Sequence, residues 1–190
     1  MINLEKGQRI NMDNSLTQVG VGLGWDPNQG TGYDFDLDAS AFMLGNDGQI
    51  PTQEHFVFYG NAKSPDGAVE TTGDDRTGGN SDGGDDETLN VNLTQVGAQV
   101  QEIIFTATIY KADERRQNFG QVRNSYIRIY DAKNNEEIAR YDLDEDFSIE
   151  TAVEFGRLYR HAGGWKFEAM GIGNKGGLPA LVNKYAKRFA

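Results

Sequence analysis

The sequence predicts a mainly β fold, an antiparallel sandwich of two sheets with a few short helices. Three observations carry this. Apolar residues recur with period two, β-branched and aromatic runs are short, and Gly, Asn, Asp and Pro clusters separate them. The 24 glycines favour turns over long helices. Several short strands at this spacing are the pattern of a sandwich.

Taken in order, Phe35, Leu37, Ala39, Ala41 and Met43 alternate with Asp34, Asp36, Asp38 and Ser40, which predicts a strand with one polar face. Residues 55–59 (HFVFY) read as the next strand. Leu89, Val91 and Leu93 then alternate with Asn90 and Asn92. The runs 102–110 (EIIFTATIY), 125–130 (SYIRIY) and 137–143 (EIARYDL) are rich in β-formers. Ser148 is positioned as an N-cap, and Ile149, Ala152, Val153 and Gly156 fall at helical spacing, so a helix is expected over 149–161. A strand-like run follows at Trp165–Met170. The C-terminal helix is expected near 178–189, where Leu178, Leu181, Val182, Tyr185, Ala186 and Phe189 form one stripe. Lys184, Lys187 and Arg188 occupy its last turns, where cations suit the helix dipole. That stripe is read as packing on the sandwich. LTQVG occurs at 16–20 and 93–97, but the flanks do not continue the match, so it is no repeat.

Residues 1–190 are expected to form one domain, long enough to bury a core without disulfides. The chain has no cysteine, which removes disulfides, zinc-thiolate sites and thiol nucleophiles. His55 and His161 lie far apart, which argues against a histidine-rich transition-metal site. The first eighteen residues carry charges inside every apolar run, and no membrane span is visible, so a cytoplasmic protein is expected.

The net charge of −11 argues against nucleic acid and anionic membranes as direct partners. It is also local. Between Asp26 and Glu87 stand fourteen acidic residues against two basic ones, and the rest of the chain is nearly neutral.

Two catalytic-looking motifs lack their context. Gly79–Gly83 matches G-x-S-x-G, but no apolar strand precedes it, and its acidic surroundings oppose an oxyanion. Gly171–Gly176 matches G-x-G-x-x-G between a strand and a helix, yet no second parallel strand or ribose-binding acid follows before Ala190.

The informative chemistry is acidic. Asp34, Asp36 and Asp38 at i, i+2 and i+4 would share one strand face with Cα atoms about 6.5–7 Å apart. Each neighbouring like-charge pair then costs about 0.6 kcal/mol in water and about 2.5 kcal/mol near a protein surface. A divalent cation reverses that sign. A second segment, from Asp66 through Asp74 and Asp75 to Asp85, Asp86 and Glu87, adds carboxylates among glycines that can turn backbone carbonyls towards an ion. Calcium, which takes six to eight oxygens at about 2.3–2.6 Å, fits such a donor set better than magnesium. The spacing does not fit the helix–loop–helix calcium motif, because Arg76 and Gly78 occupy its third and fifth positions. The site is therefore expected in loops at one end of the sandwich. Arg115, Arg116 and Gln117 are read as a turn whose arginines pair with carboxylates such as Asp113 or Glu114. Asp144, Glu145 and Asp146 are read as helix N-terminal charges rather than ligands.

Several of these stretches together resemble the TerD-like tellurium-resistance and stress-response family of bacteria. They are GLGWD at 22–26, DFDLDAS at 34–40, SPDGAV at 64–69, GDD-x-TG at 73–78, GDDE at 84–87, RRQNFGQVRN at 115–124 and ARYDLDEDFS at 139–148. The resemblance implies a calcium-binding β-sandwich with two closely spaced Ca2+ ions and no established catalysis. By position, Asp26, Asp34, Asp36, Asp38, Asp66, Asp74, Asp85, Asp86 and Glu87 match the family's acidic positions. This sequence departs in the second loop, where Asp75 replaces the usual Asn and a longer stretch brings in Asp82; both are added candidate ligands. The function expected is a non-catalytic calcium-binding or scaffold module whose partners are other stress-response or tellurium-resistance proteins. The alternative is a metal-dependent hydrolase that uses the same carboxylates for phosphoryl chemistry.

Overall fold

The computed structural model describes residues 4–72, 74–79 and 84–190. Its strands are β1 (Arg9–Asn11), β2 (Gln18–Gly24), β3 (Leu37–Leu44), β4 (Phe56–Val57), β5 (Val69–Thr71), β6 (Glu87–Asn92), β7 (Glu102–Ile109), β8 (Tyr126–Asp131), β9 (Glu136–Asp142), β10 (Ala152–His161) and β11 (Gly164–Asn174). Three short helices join them: α1 (Ala112–Arg115), α2 (Leu143–Asp146) and α3 (Gly177–Tyr185). The strands form a six-stranded sheet in the order β1-β11-β10-β7-β3-β4 and a five-stranded sheet in the order β5-β6-β2-β8-β9. Every pairing is antiparallel. This is the sandwich that the period-two pattern predicts.

Two apolar clusters hold the layers. The larger lies between the sheets and contains Val19, Val21 and Leu23 of β2, Phe105 and Ala107 of β7, and Ile127 and Ile129 of β8. The smaller lies on the outer face of the six-stranded sheet, where Leu181 and Tyr185 of α3 pack on Phe42, Leu44, Ile104 and Ala152. The α3 stripe is thus packed on the sandwich, as its amphipathic spacing predicts. The helix ends at Tyr185, and Lys187–Phe189 forms a separate 3-10 turn.

β3 carries both clusters. Leu37, Ala39, Ala41 and Met43 point between the sheets, whereas Phe42 and Leu44 point towards α3. All eight of its residues are buried. The polar face expected for this strand is therefore not a wet one.

Residues 149–161 are not helical, and this corrects the sequence reading. Ala152–His161 is β10, paired with both β7 and β11. Ala152 faces α3 while its neighbour Val153 faces the inter-sheet core. A register shift between Glu154 and Gly156 then breaks the alternation. Burial on both faces plus a bulge imitates helical spacing.

β2 escapes the sequence reading for a different reason. Its alternate residues are Gly20, Gly22 and Gly24, which read as turn signals. In the sheet these glycines admit neighbouring side chains over the backbone: Tyr130 lies over Gly20, Asp85 over Gly22 and Tyr126 over Gly24. The short strands β1 and β5 also lack a sequence signal. The two LTQVG stretches differ, the first entering β2 and the second lying in the turn after β6. No helix of the described residues is long and apolar enough to cross a membrane.

Asp85 over Gly22 accepts hydrogen bonds from Arg128 Nη2 at 2.8 Å and Tyr126 Oη at 2.8 Å. A Cβ at Gly22 would collide with this carboxylate. The variant Gly22→Ala is expected to fold with a stability loss of about 1–3 kcal/mol, the usual cost of overpacking. Urea unfolding at fixed pH reads it, and a midpoint unchanged from the parent protein would contradict the packing described.

Candidate metal centre

The acidic residues are positioned by strand ends. β3 begins at Leu37 and β6 begins at Glu87, and Leu23 near the end of β2 pairs with Glu87. These ends share one end of the sandwich. Asp36 immediately precedes β3, and the N–H of Tyr110 donates to its backbone carbonyl at 2.8 Å. Asp38 is the second residue of β3 and sits opposite Thr108 of β7. Asp74 arrives on the loop after β5.

One carboxylate oxygen from each of Asp36, Asp38 and Asp74 lies within 4.8 Å of the others. Asp36 and Asp38 are only 7% and 4% exposed, and Asp74 closes the cluster from the solvent side. Asp36 Oδ1 is buried without a hydrogen-bond partner. The cluster lines a cavity of about 170 Å³ together with Tyr59, Arg76, Tyr110 and Arg115.

Behind this floor, Glu87 spans the two sheets. Its Oε2 accepts from the N–H of Ala39 at 2.9 Å, and its Oε1 accepts from the N–H of Asp75 at 3.2 Å. Asp75 is buried too, and its Oδ1 accepts from the N–H groups of Thr77 and Gly78 at 2.9 and 3.0 Å. Trp25 braces the same end, donating its indole N–H to the carbonyl of Phe35 at 2.8 Å.

Burial sets the electrostatics. It pushes the Asp36 carboxyl up to about 6, with the Asp74 charge adding and Arg115 opposing. It pushes Asp38 to about 8, reinforced by Asp36 and Asp74. Glu87 rises to about 9, again first through burial. Desolvation and neighbouring carboxylates disfavour each charge, and Arg76, paired with Asp74 at 3.1 Å, offsets part of this.

The remaining candidates are distributed elsewhere. Asp34 is exposed and lies before the strand, so the three-aspartate ladder expected from the alternation is reduced to Asp36 and Asp38. Gln117 Nε2 holds the Asp34 backbone carbonyl at 3.2 Å. Asp26 accepts from Asn124 Nδ2 at 2.7 Å and lines a separate cavity of about 560 Å³ with Arg140, Asp142, Asp144 and Glu145. Asp66 is at the opposite end of the sandwich, near the Ala68 and Asn92 ends of β5 and β6. Its Oδ1 accepts from Ser64 Oγ at 2.7 Å and the Ala68 N–H at 2.9 Å, and its Oδ2 accepts from the Gly97 N–H at 2.9 Å. Asp85 belongs to the Arg128 pair on the outer sheet face, and Asp86 Oδ2 accepts from the Trp25 N–H at 2.9 Å. Asp82 and most of the G-x-S-x-G stretch lie outside the described residues. Gly171 and Gly173 of the glycine-rich motif lie within β11.

Arg115 departs from the expected pairing. Its guanidinium lies 5.3 Å from the Tyr33 ring and 5.4 Å from the Tyr110 ring, facing the acidic cavity. Asp144, Glu145 and Asp146 lie in the first turn of a helix, as the sequence predicts, and that helix is the one-turn α2. Tyr59 and Tyr110 also line the cavity, and each ends an ordinary β-rich run with no sequence signal that it borders a site.

The donor set is entirely hard oxygen, from two separated segments, and Asp36 Oδ1 is buried without a hydrogen-bond partner. That fits Ca2+, which accepts flexible oxygen coordination. Asp36, Asp38 and Asp74 would hold the ion directly, and Asp75 and Glu87 border them.

A family profile described as the TerD domain matches residues 1–185. A protein of Alcaligenes sp named tellurium resistance protein TerD is 49% identical over 187 residues, covering 97% of this chain and 96% of that one. General stress protein 16U of Bacillus subtilis (strain 168) is 47% identical over 188 residues, covering 97% and 96%. The crystal structure of a homologue of telluride resistance protein (TerD) from Streptomyces coelicolor A3(2) superposes with a TM-score of 0.75 at 22% identity, covering 89% of this chain and 96% of that one. The last likeness bears on the fold alone.

The raised carboxyls make a pH prediction. Asp36, Asp38 and Glu87 bind protons more tightly folded than unfolded, so their contribution to stability is complete below the ordinary carboxylate range. It is lost as pH rises through about 6, 8 and 9. Melting temperature of chelator-treated protein is expected to fall steadily between about pH 5 and pH 9. The variant Asp38→Asn should flatten the fall near pH 8. A melting temperature that climbs across this window would contradict the electrostatics.

Proposed function

From the premise that the chain belongs to the TerD domain family, we propose that it is a calcium-binding module of the bacterial tellurium-resistance and stress response, working in the cytoplasm as a scaffold rather than as a catalyst. The observation that carries the reading is the convergence of Asp36, Asp38 and Asp74, with the buried Asp36 Oδ1 unpartnered. A family of resistance and stress proteins supplies the physiological setting.

The mechanism is structural. Calcium supplies two positive charges to a cluster that repels itself. Asp36 and Asp38 orient towards it from the head of β3, and Asp74 brings the β5–β6 connection to the same point. Holding Asp74 there fixes a surface at this end of the sandwich for other stress-response or tellurium-resistance proteins. Binding to the folded state alone also stabilises it by mass action. Asp36, Asp38 and Asp74 would hold one ion, and a second would draw on Asp75 and Glu87.

Calorimetric titration of chelator-stripped protein with calcium tests this. Saturable binding is expected, with a rise in melting temperature and release of protons at neutral pH, because the bound ion requires ionised carboxylates. Asp38→Asn should abolish binding. Asp66→Asn should leave calcium affinity unchanged while costing about 1–3 kcal/mol of stability, since it strands buried donors at the far end. No heat and no thermal shift at millimolar calcium would sink the reading, and calcium-stimulated phosphodiester hydrolysis would replace the scaffold role with the catalytic one.

A further inference from the structure

The acidic cavity does not end at its carboxylates. Asp38, Tyr59 and Tyr110 line both it and a second, apolar cleft of about 480 Å³. The cleft runs over the outer face of the six-stranded sheet beneath Leu178 and Val182 of α3. Its other wall is aromatic. Phe56 and Phe58 stack at 4.3 Å, and Phe58 meets Tyr59 edge-on at 5.1 Å. Tyr59 is 47% exposed, a large apolar group held at the rim where the two spaces meet.

The two ends differ in chemistry. The acidic cavity is lined by three carboxylates and two guanidinium groups, Arg76 and Arg115, a net of −1. A divalent cation on its floor turns that lining to +1. Asp75 and Glu87, which lie behind it, are already held by backbone N–H donors. Arg115 then shares the opening with the cation, while Arg76 is paired with Asp74, its Nε 3.1 Å from Oδ2. Guanidinium groups and a hard cation recognise the same partner, a compact oxyanion, and phosphate suits both. Arg115 is held in place by the Tyr33 and Tyr110 rings, so its orientation does not depend on the ligand.

We propose that the cavity and the cleft form one bipartite site for a small soluble phosphate monoester with an aromatic or short alkyl tail. The phosphate is received at the Asp36, Asp38 and Asp74 end beside Arg115, and the tail enters the cleft against Phe58 and Val182. The proposal rests on the calcium reading above and names what that site receives. The charge of the loaded cavity selects the head group, and the apolar cleft that continues from it selects the tail.

Phenyl phosphate is the probe, with inorganic phosphate as head alone and phenol as tail alone. Each is titrated calorimetrically into the intact chain, with calcium saturating and again with chelator. With calcium, phenyl phosphate is expected to bind about tenfold or more tighter than inorganic phosphate, a difference of about 1.4 kcal/mol. With chelator, its binding should disappear. Arg115→Gln should weaken both phosphates. Phe58→Ala should remove the preference for phenyl phosphate while leaving inorganic phosphate and calcium affinity unchanged, the latter showing that the variant folds. Should Phe58→Ala fail that control, Val182→Ser replaces it on the opposite wall.

If calcium binds but phenyl phosphate binds no tighter than inorganic phosphate, the bipartite site is overturned and the calcium reading stands. If calcium does not bind, both fall. Phenyl phosphate binding that ignores the chelator overturns the cation-bridged head. Calcium-dependent dimerisation by light scattering, abolished by Phe58→Ala, would assign the cleft to a second copy of the chain and overturn the small-molecule occupant.

Discussion

Because every residue of β3 is buried, each polar side chain it carries is costly unless it is matched inside the protein or by something the protein binds. The inward positions present no difficulty, since they are Leu37, Ala39, Ala41 and Met43. The outward row is Asp38, Ser40, Phe42 and Leu44. α3 covers its far half with Leu181 and Tyr185. Ser40 Oγ remains buried beneath without a hydrogen-bond partner, and so does Thr106 Oγ1 opposite it. At the near end the cover stops, and Asp38 meets Asp36 and Asp74. The candidate metal centre is the place where the second layer runs out over a strand that has no wet face.

The same outward face holds another buried acid with a different solution. Glu154 of β10 is 1% exposed, and it accepts from Lys184 Nζ at 2.9 Å and from the Tyr185 hydroxyl. There α3 supplies the compensating charge and donor. Burial and this contact push the Tyr185 hydroxyl well above its ordinary range. One sheet face thus carries two buried acid sites, one satisfied within the chain and one, at Asp36, with an oxygen left over. The contrast separates a carboxylate matched by α3 from one with an unpartnered oxygen.

Much of this was legible in residues. The alternation that identifies β3 and β6 survives because Leu37, Ala39, Ala41 and Met43, and Leu89 and Val91, point inward, and β7, β8 and β9 are legible from their β-branched and aromatic content. It fails in β10, where both faces are covered and a bulge shifts the register, and in β2, where glycine conceals the strand. The acidic region was legible as a region, but its division was not. Asp36, Asp66 and Asp85 look alike in sequence. Only the fold shows one buried beside like charges, one satisfied by Ser64 and two backbone N–H groups, and one clasped by Arg128. The surroundings of Arg115 are not legible in sequence, because a carboxylate is its nearest candidate partner along the chain whereas its aromatic partners Tyr33 and Tyr110 come from other segments.

The glycine row of β2 has a consequence for how such a sequence can change over time. Gly20, Gly22 and Gly24 are held by what lies over them, namely Tyr130, Asp85 and Tyr126. None of the three has the positive φ that only glycine tolerates easily. A larger residue at any of them is therefore not forbidden by its own backbone; it is forbidden by its neighbour. Lineages can exchange size across these pairs, a gain in β2 matched by a loss on the adjoining strand or loop. Position 20 is then expected to drift together with 130, 22 with 85, and 24 with 126. A stretch that reads along the chain as three freely mobile glycines is, across the sheet, half of three coupled characters.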